Sequence, residues 1–402
     1  MHLFLSILIG YILGSVSPAY FFGRVLKHID IREVGTHNAG ATNTFRNVGL
    51  WPAVITVIYD LGKGLLAIGI ANKLGIDSPW YLLAGFAAFL GHRFPFYLQF
   101  RGGQGSATMI GILGLLLYQI FSTITIPWML FIGIALCALA TFYISKDDEP
   151  IGMIVIPLLW LILIKLIIDN DIMRVQLILV LAIFIYMWAV SVSNIIHHKL
   201  ITLLPETRKQ LLNWRTIARP LAILIPIIYI FAGKPVILWI LGILSLILII
   251  VDLVRLISSG VNIFIFNSIK GFLKEKEHKT FSSMTYFLVA GFLAILLFEQ
   301  NFAILAITFL IFGDLATKFF GAQYSRHFIL RERSLEGLIA YFSFALFFGL
   351  YIGGWLGIPT IYIVLGAGTA AFTDLFSIFG IDDNFTVALI TGGVLTAVKF
   401  FG

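Results

Sequence analysis

Apolar runs of some twenty residues recur from one end of this chain to the other, and they limit what it can fold into. An α-helix needs about 20 such residues to cross the hydrocarbon of a bilayer. Inside that hydrocarbon every backbone N–H and C=O must be satisfied within a helix or a closed barrel. A barrel is excluded, because barrel strands alternate polar and apolar residues in segments of about ten and the runs here are continuous. Charged residues make up 12% of the chain and the mean hydropathy is +1.01, against about 25% charged residues in soluble domains. The chain therefore reads as all-α, a polytopic transmembrane helical protein.

Hydropathy predicts about fourteen spans, near 2–23, 51–72, 79–98, 107–122, 124–144, 151–168, 175–193, 217–232, 236–251, 281–298, 301–320, 336–354, 357–373 and 385–400. Most of the 27 Lys and Arg residues lie in the loops near 24–50, 92–105, 145–150, 194–216, 252–280, 321–335 and 374–384, all on one face. Basic residues in short loops mark the cytoplasmic side, so both chain ends are expected on the opposite side. Attraction to anionic lipid headgroups accounts for the net charge of +7 without a nucleic acid. The first apolar segment lacks a basic leading region and reads as a span rather than a cleavable signal. Cys137 is the one cysteine and reads as a small core residue, with no intrachain disulfide open to it. The polar, basic stretch 194–216 reads as the boundary between two membrane domains, 1–200 and 215–402. No internal repeat or interrupted midplane helix of the transporter kind is evident.

The loop "GTHNAGATNTFRNVG" at 35–49 stands out against this background. Its glycines let backbone N–H groups approach a ligand. Thr36, Asn38, Thr42 and Asn43 add side-chain donors, and Arg46 adds a planar cation suited to phosphate oxygens. No carboxylate lies between Glu33 and Asp60. The inventory is that of an anion site. A second loop on the same face, Arg101, Gly102, Gly103, Gln104 and Gly105, runs directly into Ser106 and the next helix. The free N–H groups and dipole of a helix N-terminus favour phosphate there. Asp60 and Lys63 of "DLGKG" sit inside an apolar helix. Their i, i+3 spacing lets them pair, and intramembrane charge is either structural pairing or part of a site. His92 is open to the same two readings.

"GSVSPAYFFG" at 14–23, "DIREVGTHNAGATNTFRNVG" at 30–49, "DLGKG" at 60–64 and "GHRFPFYLQFRGGQGSAT" at 91–108 resemble the bacterial acyl-phosphate:glycerol-3-phosphate acyltransferases over roughly residues 1–200. The resemblance implies an integral membrane enzyme of phospholipid synthesis. Such an enzyme moves a fatty acyl group from acyl phosphate to glycerol 3-phosphate, giving lysophosphatidate, with no cofactor. It implies catalytic positions at Thr36, Arg46 and Asn194. Substrate contacts would come from Asn38, Thr42, Asn43, residues 101–105 and Ser145. The chain departs from the family pattern where Thr36 replaces a serine but keeps the hydroxyl, where His37 replaces a glycine, Gln104 a lysine and Ser191 a histidine, and where "KDDEP" at 146–150 replaces small polar residues. Acyl phosphate is already activated, so orientation of the reactants and donors aimed at developing charge suffice in principle, supplying about 7–11 and 3–4 kcal/mol respectively.

Beyond residue 215 the polar residues are mostly acidic. Asp252, Asp314, Glu336, Asp374, Asp382, Asp383 and Asn384 stand near the ends of apolar helices, with Lys279, Lys318, Arg331 and Arg333 nearby. Oxygen ligands of this kind suit Mg²⁺ held with phosphates, or else cap and pair at helix ends. "EHKTFSSMTYF", "FGDLATKFFGAQYSRHFILRERSLEG" and "DLFSIFGIDDNFTVALITGGVL" resemble the dolichol kinase and phytol kinase group, related to phosphatidate cytidylyltransferases. That resemblance implies CTP and Mg²⁺ at a lipid headgroup. Asp252, Asp314, Arg333, Ser334, Glu336, Asp383 and Asn384 would hold nucleotide and metal, the metal at Asp314 and Asp383. The whole is expected in a bacterial inner membrane with its active face cytoplasmic. The alternatives are a lipid or anion transporter, or a regulatory protein whose acyltransferase half has decayed.

Overall fold

The computed structural model describes residues 1–124, 128–146, 149–171, 173–198, 219–268, 275–330, 333–376 and 382–401. Arg331, Asp147, Asp148 and most of the expected boundary at 194–216 fall outside these. Asn194 lies on a described helix, but its side chain is not described. Among the described residues, ten helical segments are long and apolar enough to cross a membrane, the N-terminal His2–Lys27 and Pro220–Ile257 each counted as one, and three shorter apolar helices accompany them.

Contacts divide the chain into two units: Met1–Ile126 with Ile156–His198, and Pro127–Val155 with Lys199–Gly402. In the first unit α1 (His2–Ser15) is followed after two residues by α2 (Pro18–Lys27). The expected single span 2–23 is thus broken. Ser17 caps α2 through its side chain, which accepts from the Tyr20 N–H, and Pro18 occupies the first helical turn, where its missing N–H costs nothing. Next come α3 (Ala41–Asn47), α4 (Leu50–Lys73), α5 (Leu82–Arg93) and α6 (Ser106–Thr123). α3 is a short helix inside what reads in sequence as a loop. The later part of α8 (Glu149–Asp169) and α9 (Arg174–His198) complete the unit.

Small residues hold α1 against α5. A Cβ on Gly10 would lie 2.3 Å from the Ala84 carbonyl oxygen, and one on Gly14 would lie 2.0 Å from that of Ala88. In lipid, helices associate chiefly by such close backbone packing, since the hydrophobic effect does not drive them together. The last carbonyls of α1 lack intrahelical partners and are met by side chains. Tyr59 Oη donates to Leu13 O (2.8 Å), Lys63 Nζ to Gly14 O (3.2 Å) and Tyr97 Oη to Ser15 O (2.9 Å).

The second unit begins with α7 (Trp128–Ser145). α10 (Leu224–Ile257) bends at Gly233, whose φ of 82° and ψ of 173° are non-helical, two residues before Pro235. That bend separates the two expected spans 217–232 and 236–251. α11 (Ser259–Ser268), α12 (Ser283–Leu297), α13 (Gln300–Tyr324), α14 (Leu335–Leu356), α15 (Thr360–Phe376) and α16 (Asp383–Phe401) follow. α13 is central, with Phe302–Ile307 and Phe309–Ile311 almost wholly buried. α7 packs into this unit through Ala140 and Ile144 against Ala316, Phe320 and Ala340. Cys137 lies buried there, its thiol 3.4 Å from Ser343 O, in the small core role expected of it. A short antiparallel hairpin, β1 (Phe328–Leu330) and β2 (Arg333–Ser334), joins α13 to α14.

Gly14→Ala places a methyl group against an immovable backbone carbonyl. It is expected to lower the stability of the first unit by roughly 1–3 kcal/mol, read as a fall in thermal midpoint in detergent. An unchanged midpoint would show that α1 and α5 are not held by this contact.

Candidate phosphate-binding site

Asn43 builds the first loop. It is 1% exposed. Its amide nitrogen donates to Ile31 O (2.7 Å), Val34 O (2.9 Å) and Asn38 O (3.0 Å), and its Oδ1 accepts from the Thr36 N–H (3.0 Å) and from Asn47 Nδ2 (2.8 Å). Its hydrogen-bonding capacity is consumed inside the loop, so its part is to shape the site, where the sequence suggested a donor to substrate. Gly35 has φ +61°, and a Cβ there would sit 2.3 Å from Asn43 Oδ1. His37 also adopts the left-handed region, with φ 53°. That explains a glycine as the family's residue at this position, and histidine is one of the residues that tolerates it.

Two contacts stitch this loop to the second. Asn38 Oδ1 accepts from the Gln104 backbone N–H at 3.1 Å. Arg32 grips Asp30 with two nitrogens (2.9 and 2.7 Å) while its remaining nitrogen donates to Leu98 O (2.9 Å) and Arg101 O (3.1 Å). Arg24 approaches the same carboxylate at 3.2 Å. The Arg32 hydrogen bonds outweigh the cost of burial and hold the Asp30 carboxyl down to about 2. In the second loop the Gly102 N–H donates to Arg93 O (3.1 Å) and the Gly103 N–H to His92 O (3.2 Å). Tyr186 of α9 donates to the Gln104 carbonyl. Gly105, with φ +79°, opens α6.

Thr36, Asn38, Thr42 and Arg46 are thus carried on one framework with Arg101–Gly105. Arg46 is exposed on the last turn of α3, and among the described residues nothing engages its guanidinium. Thr42 is exposed too. Ser145 belongs to the second contact unit, and its hydroxyl donates to Thr141 O within its own helix. Behind the loops lies a group whose role the sequence left open. Lys63 Nζ stands 2.8 Å from Asp60 Oδ1 and 2.5 Å from His92 Nδ1, and all three residues are buried.

In the second unit the acidic residues are engaged by the protein. Asp252 accepts from Arg255 Nε (2.6 Å), the Ser282 N–H (2.9 Å) and Thr285 Oγ1 (2.5 Å). That saturates it as a structural carboxylate, in place of the expected nucleotide contact. Arg333 bridges Asp374 (3.0 Å) and Asp383 (2.5 Å). Burial opposes its charge, but these carboxylates and Asp314 raise its guanidinium above the ordinary value. Asp314 faces Lys318 at 2.9 Å. Glu336 accepts from the His327 N–H (3.2 Å) and meets its ring at 2.7 Å. Ser334 caps α14, and Asn384 bonds Asp382 at 2.6 Å. Burial, then repulsion from Asp383, raises Asp382. Both carboxylates expected to hold metal, Asp314 and Asp383, are neutralised by a base. Among the described residues no group of three or more His, Cys, Asp or Glu is placed to hold a metal ion.

Residues 4–201, just under half of the chain, match the profile of the family described as "Glycerol-3-phosphate acyltransferase". "Glycerol-3-phosphate acyltransferase 2" of Dehalococcoides mccartyi is 43% identical over 113 residues, covering 28% of this chain and 54% of the relative. "Glycerol-3-phosphate acyltransferase" of Shouchella clausii is 48% identical over 118 residues, covering 28% and 56%. The chain spans about half the length of the curated relatives it matches. The crystal structure of PlsY (YgiH), described as an integral membrane glycerol 3-phosphate acyltransferase, in its glycerol 3-phosphate form, is 24% identical, with 49% of this chain and 92% of that chain covered and a TM-score of 0.33.

Asp30→Asn removes the anchor of Arg32. At neutral pH it is expected to cost up to about 2.5 kcal/mol, the depression from 3.8 to about 2 taken at about 1.4 kcal/mol per unit, less what solvent screening removes. Because the folded value is the lower one, this stabilisation is complete above pH ~4 and is lost as pH falls toward ~2. Thermal midpoints of both proteins across that range should converge; a constant gap would remove Asp30 from the linkage.

Proposed function

We propose that the first half of the chain is a membrane acyltransferase that takes an acyl group from acyl phosphate to glycerol 3-phosphate and releases lysophosphatidate. The observation that carries this reading is the joining of two donor-rich loops, through Asn38 to the residue 104 amide and through Arg32 to the carbonyls of 98 and 101. The reaction must hold two phosphorylated reactants side by side. Two cradles on one rigid frame meet that demand, and the matching family acts on glycerol 3-phosphate by its description.

Arg46 and the first-loop hydroxyls Thr36 and Thr42 take the phosphate of one substrate. Arg101 takes the other, together with the free N–H groups and dipole at the N-terminus of α6, which Gly105 opens. Holding the acceptor hydroxyl beside the acyl carbon turns a bimolecular step into an intramolecular one. The phosphate leaves with the electron pair of the broken C–O bond, and a phosphate oxygen takes the hydroxyl proton. Asn194, on α9, enters only as the resemblance implies it. The membrane is bacterial and the loops face the cytoplasm, where both water-soluble reactant groups are available.

The second half is proposed as a lipid-modifying domain that uses CTP. The Arg333–Asp374–Asp383 cluster with Asp314 and Lys318 gives charged groups for a headgroup, and an apolar groove of about 770 Å³ lined by Phe342, Val364, Leu365, Phe372 and Phe376 suits a lipid chain. Mg²⁺ ordinarily takes one or two carboxylates together with substrate phosphates. The present pairing of Asp314 and Asp383 with bases does not make a metal site by itself.

Arg46→Ala is expected to lower acyl transfer from acyl phosphate at least a hundredfold while leaving the protein folded in membranes. Normal turnover would take Arg46 out of the site. Asp314→Asn is expected to stop transfer of label from CTP to a lipid extract. A wild-type protein that transfers no label would retire the second reading.

A further inference from the structure

His92 lies at the last turn of α5, buried, between the Asp60–Lys63 pair and the second loop. Lys63 Nζ has three acceptors, Asp60 Oδ1 at 2.8 Å, Gly14 O at 3.2 Å and His92 Nδ1 at 2.5 Å. A lysine ammonium has three protons and no lone pair, so His92 Nδ1 must accept. Asp60 Oδ1, 3.4 Å from the same nitrogen, would favour a proton there, but the closer ammonium excludes it. The ring proton therefore sits on Nε2, the tautomer being fixed by what the other nitrogen meets.

Nε2 points at the second loop. A Cβ built on Gly103 would lie 2.3 Å from it and 2.9 Å from Ala39 O, so the ring nitrogen fills the place a side chain at 103 would take. It thereby stands where the two loops meet, next to Gly105 and the start of α6. Among the described residues none accepts a hydrogen bond from Nε2, and the ring's polar contacts run through Nδ1, so Nε2–H is left to donate elsewhere.

We propose that His92 is a neutral donor whose Nε2–H binds a phosphate oxygen of substrate at the 102–105 loop, with Lys63, held by Asp60, as the positioning residue that sets its tautomer. The inference rests on the two loops being a phosphate site, and it adds a donor that Gln104, in place of a lysine, does not bring as charge. Neutrality matters. An imidazole that carries no charge leaves the net charge of the site unaltered while adding a directed hydrogen bond. It also gives Gly103 a reason to be glycine, since any side chain there would displace the ring.

Full-length protein labelled with [¹⁵N]histidine, in detergent micelles, tests this, with His92→Asn assigning the resonances. The expected spectrum shows Nε2 protonated and Nδ1 bare at neutral pH. Adding glycerol 3-phosphate, and separately inorganic phosphate, should shift Nε2 while Nδ1 stays bare. His92→Asn should weaken glycerol 3-phosphate binding, measured by equilibrium dialysis, roughly ten- to a hundredfold, the loss of one hydrogen bond to a charged group. The Asp60→Asn/Lys63→Met double variant, which leaves no unpaired charge, should lose the single tautomer and bind correspondingly less. Ligand binding with Nε2 unmoved, or a proton on Nδ1, would overturn the role of His92 and leave the phosphate loops standing. A wild-type protein that binds neither probe at millimolar concentration would overturn both.

Discussion

An ammonium group buried in the membrane has to find three acceptors or leave, and much of the first unit is arranged around that requirement. Lys63 satisfies it with a carboxylate of its own helix, the Gly14 carbonyl near the end of α1 and the ring of His92 at the end of α5. Three helices are tied at one point, and two of them lead directly into the polar loops. The second unit repeats the device with other residues. Asp252 and Arg255, again i and i+3 on one helix and both buried, send the guanidinium onto Glu277 O and Thr280 O. Removing one partner of such a pair strands a buried charge and costs about 3–5 kcal/mol, whereas the intact pair is close to neutral. The pairs are therefore better read as fixing geometry than as supplying stability.

That distinction bears on the sites. In the first unit Asn43, Asn38 and Arg32 spend their hydrogen bonds on the loops, while Arg46 and Thr42 remain presented to solvent. Framework and contact residues are different residues. In the second unit the same side chains are asked to be both. Arg333 holds Asp374 and Asp383, so an incoming phosphate would compete with carboxylates for that guanidinium. A ligand there would have to repack the cluster, whereas the Arg46 and Thr42 side chains are already open to solvent.

The membrane architecture was legible because its cause is local: a run of apolar residues is a span wherever it sits. Expected ends and observed ends of α6, α8 and α16 differ by a few residues, which is the scatter of helix termini. The break at Val16–Ser17 was in the sequence as Ser17-Pro18, a cap signal concealed by apolar residues on both sides. α3 escapes such a reading because a run rich in Asn, Thr and Gly reads as loop, while the Asn43 side chain anchors these seven residues to Ile31, Val34 and Asn38 from a distance in sequence. The membership of α7 in the second unit depends on Ala140 and Ile144 meeting Ala316 and Phe320, a pairing without local trace. The polar inventory of the site was visible, but its division of labour was not, because composition does not reveal which donors are already occupied.

The link between the two loops runs from the Asn38 side chain to the main-chain amide of residue 104, and an amide is common to every residue except proline. Loop shape at 104 is therefore insulated from what that residue carries. Lysine, glutamine or another side chain can be exchanged there while the framework stays in register. On the proposed reading, residue 104 sets the charge presented to a bound phosphate without disturbing the main-chain link that holds the two loops together.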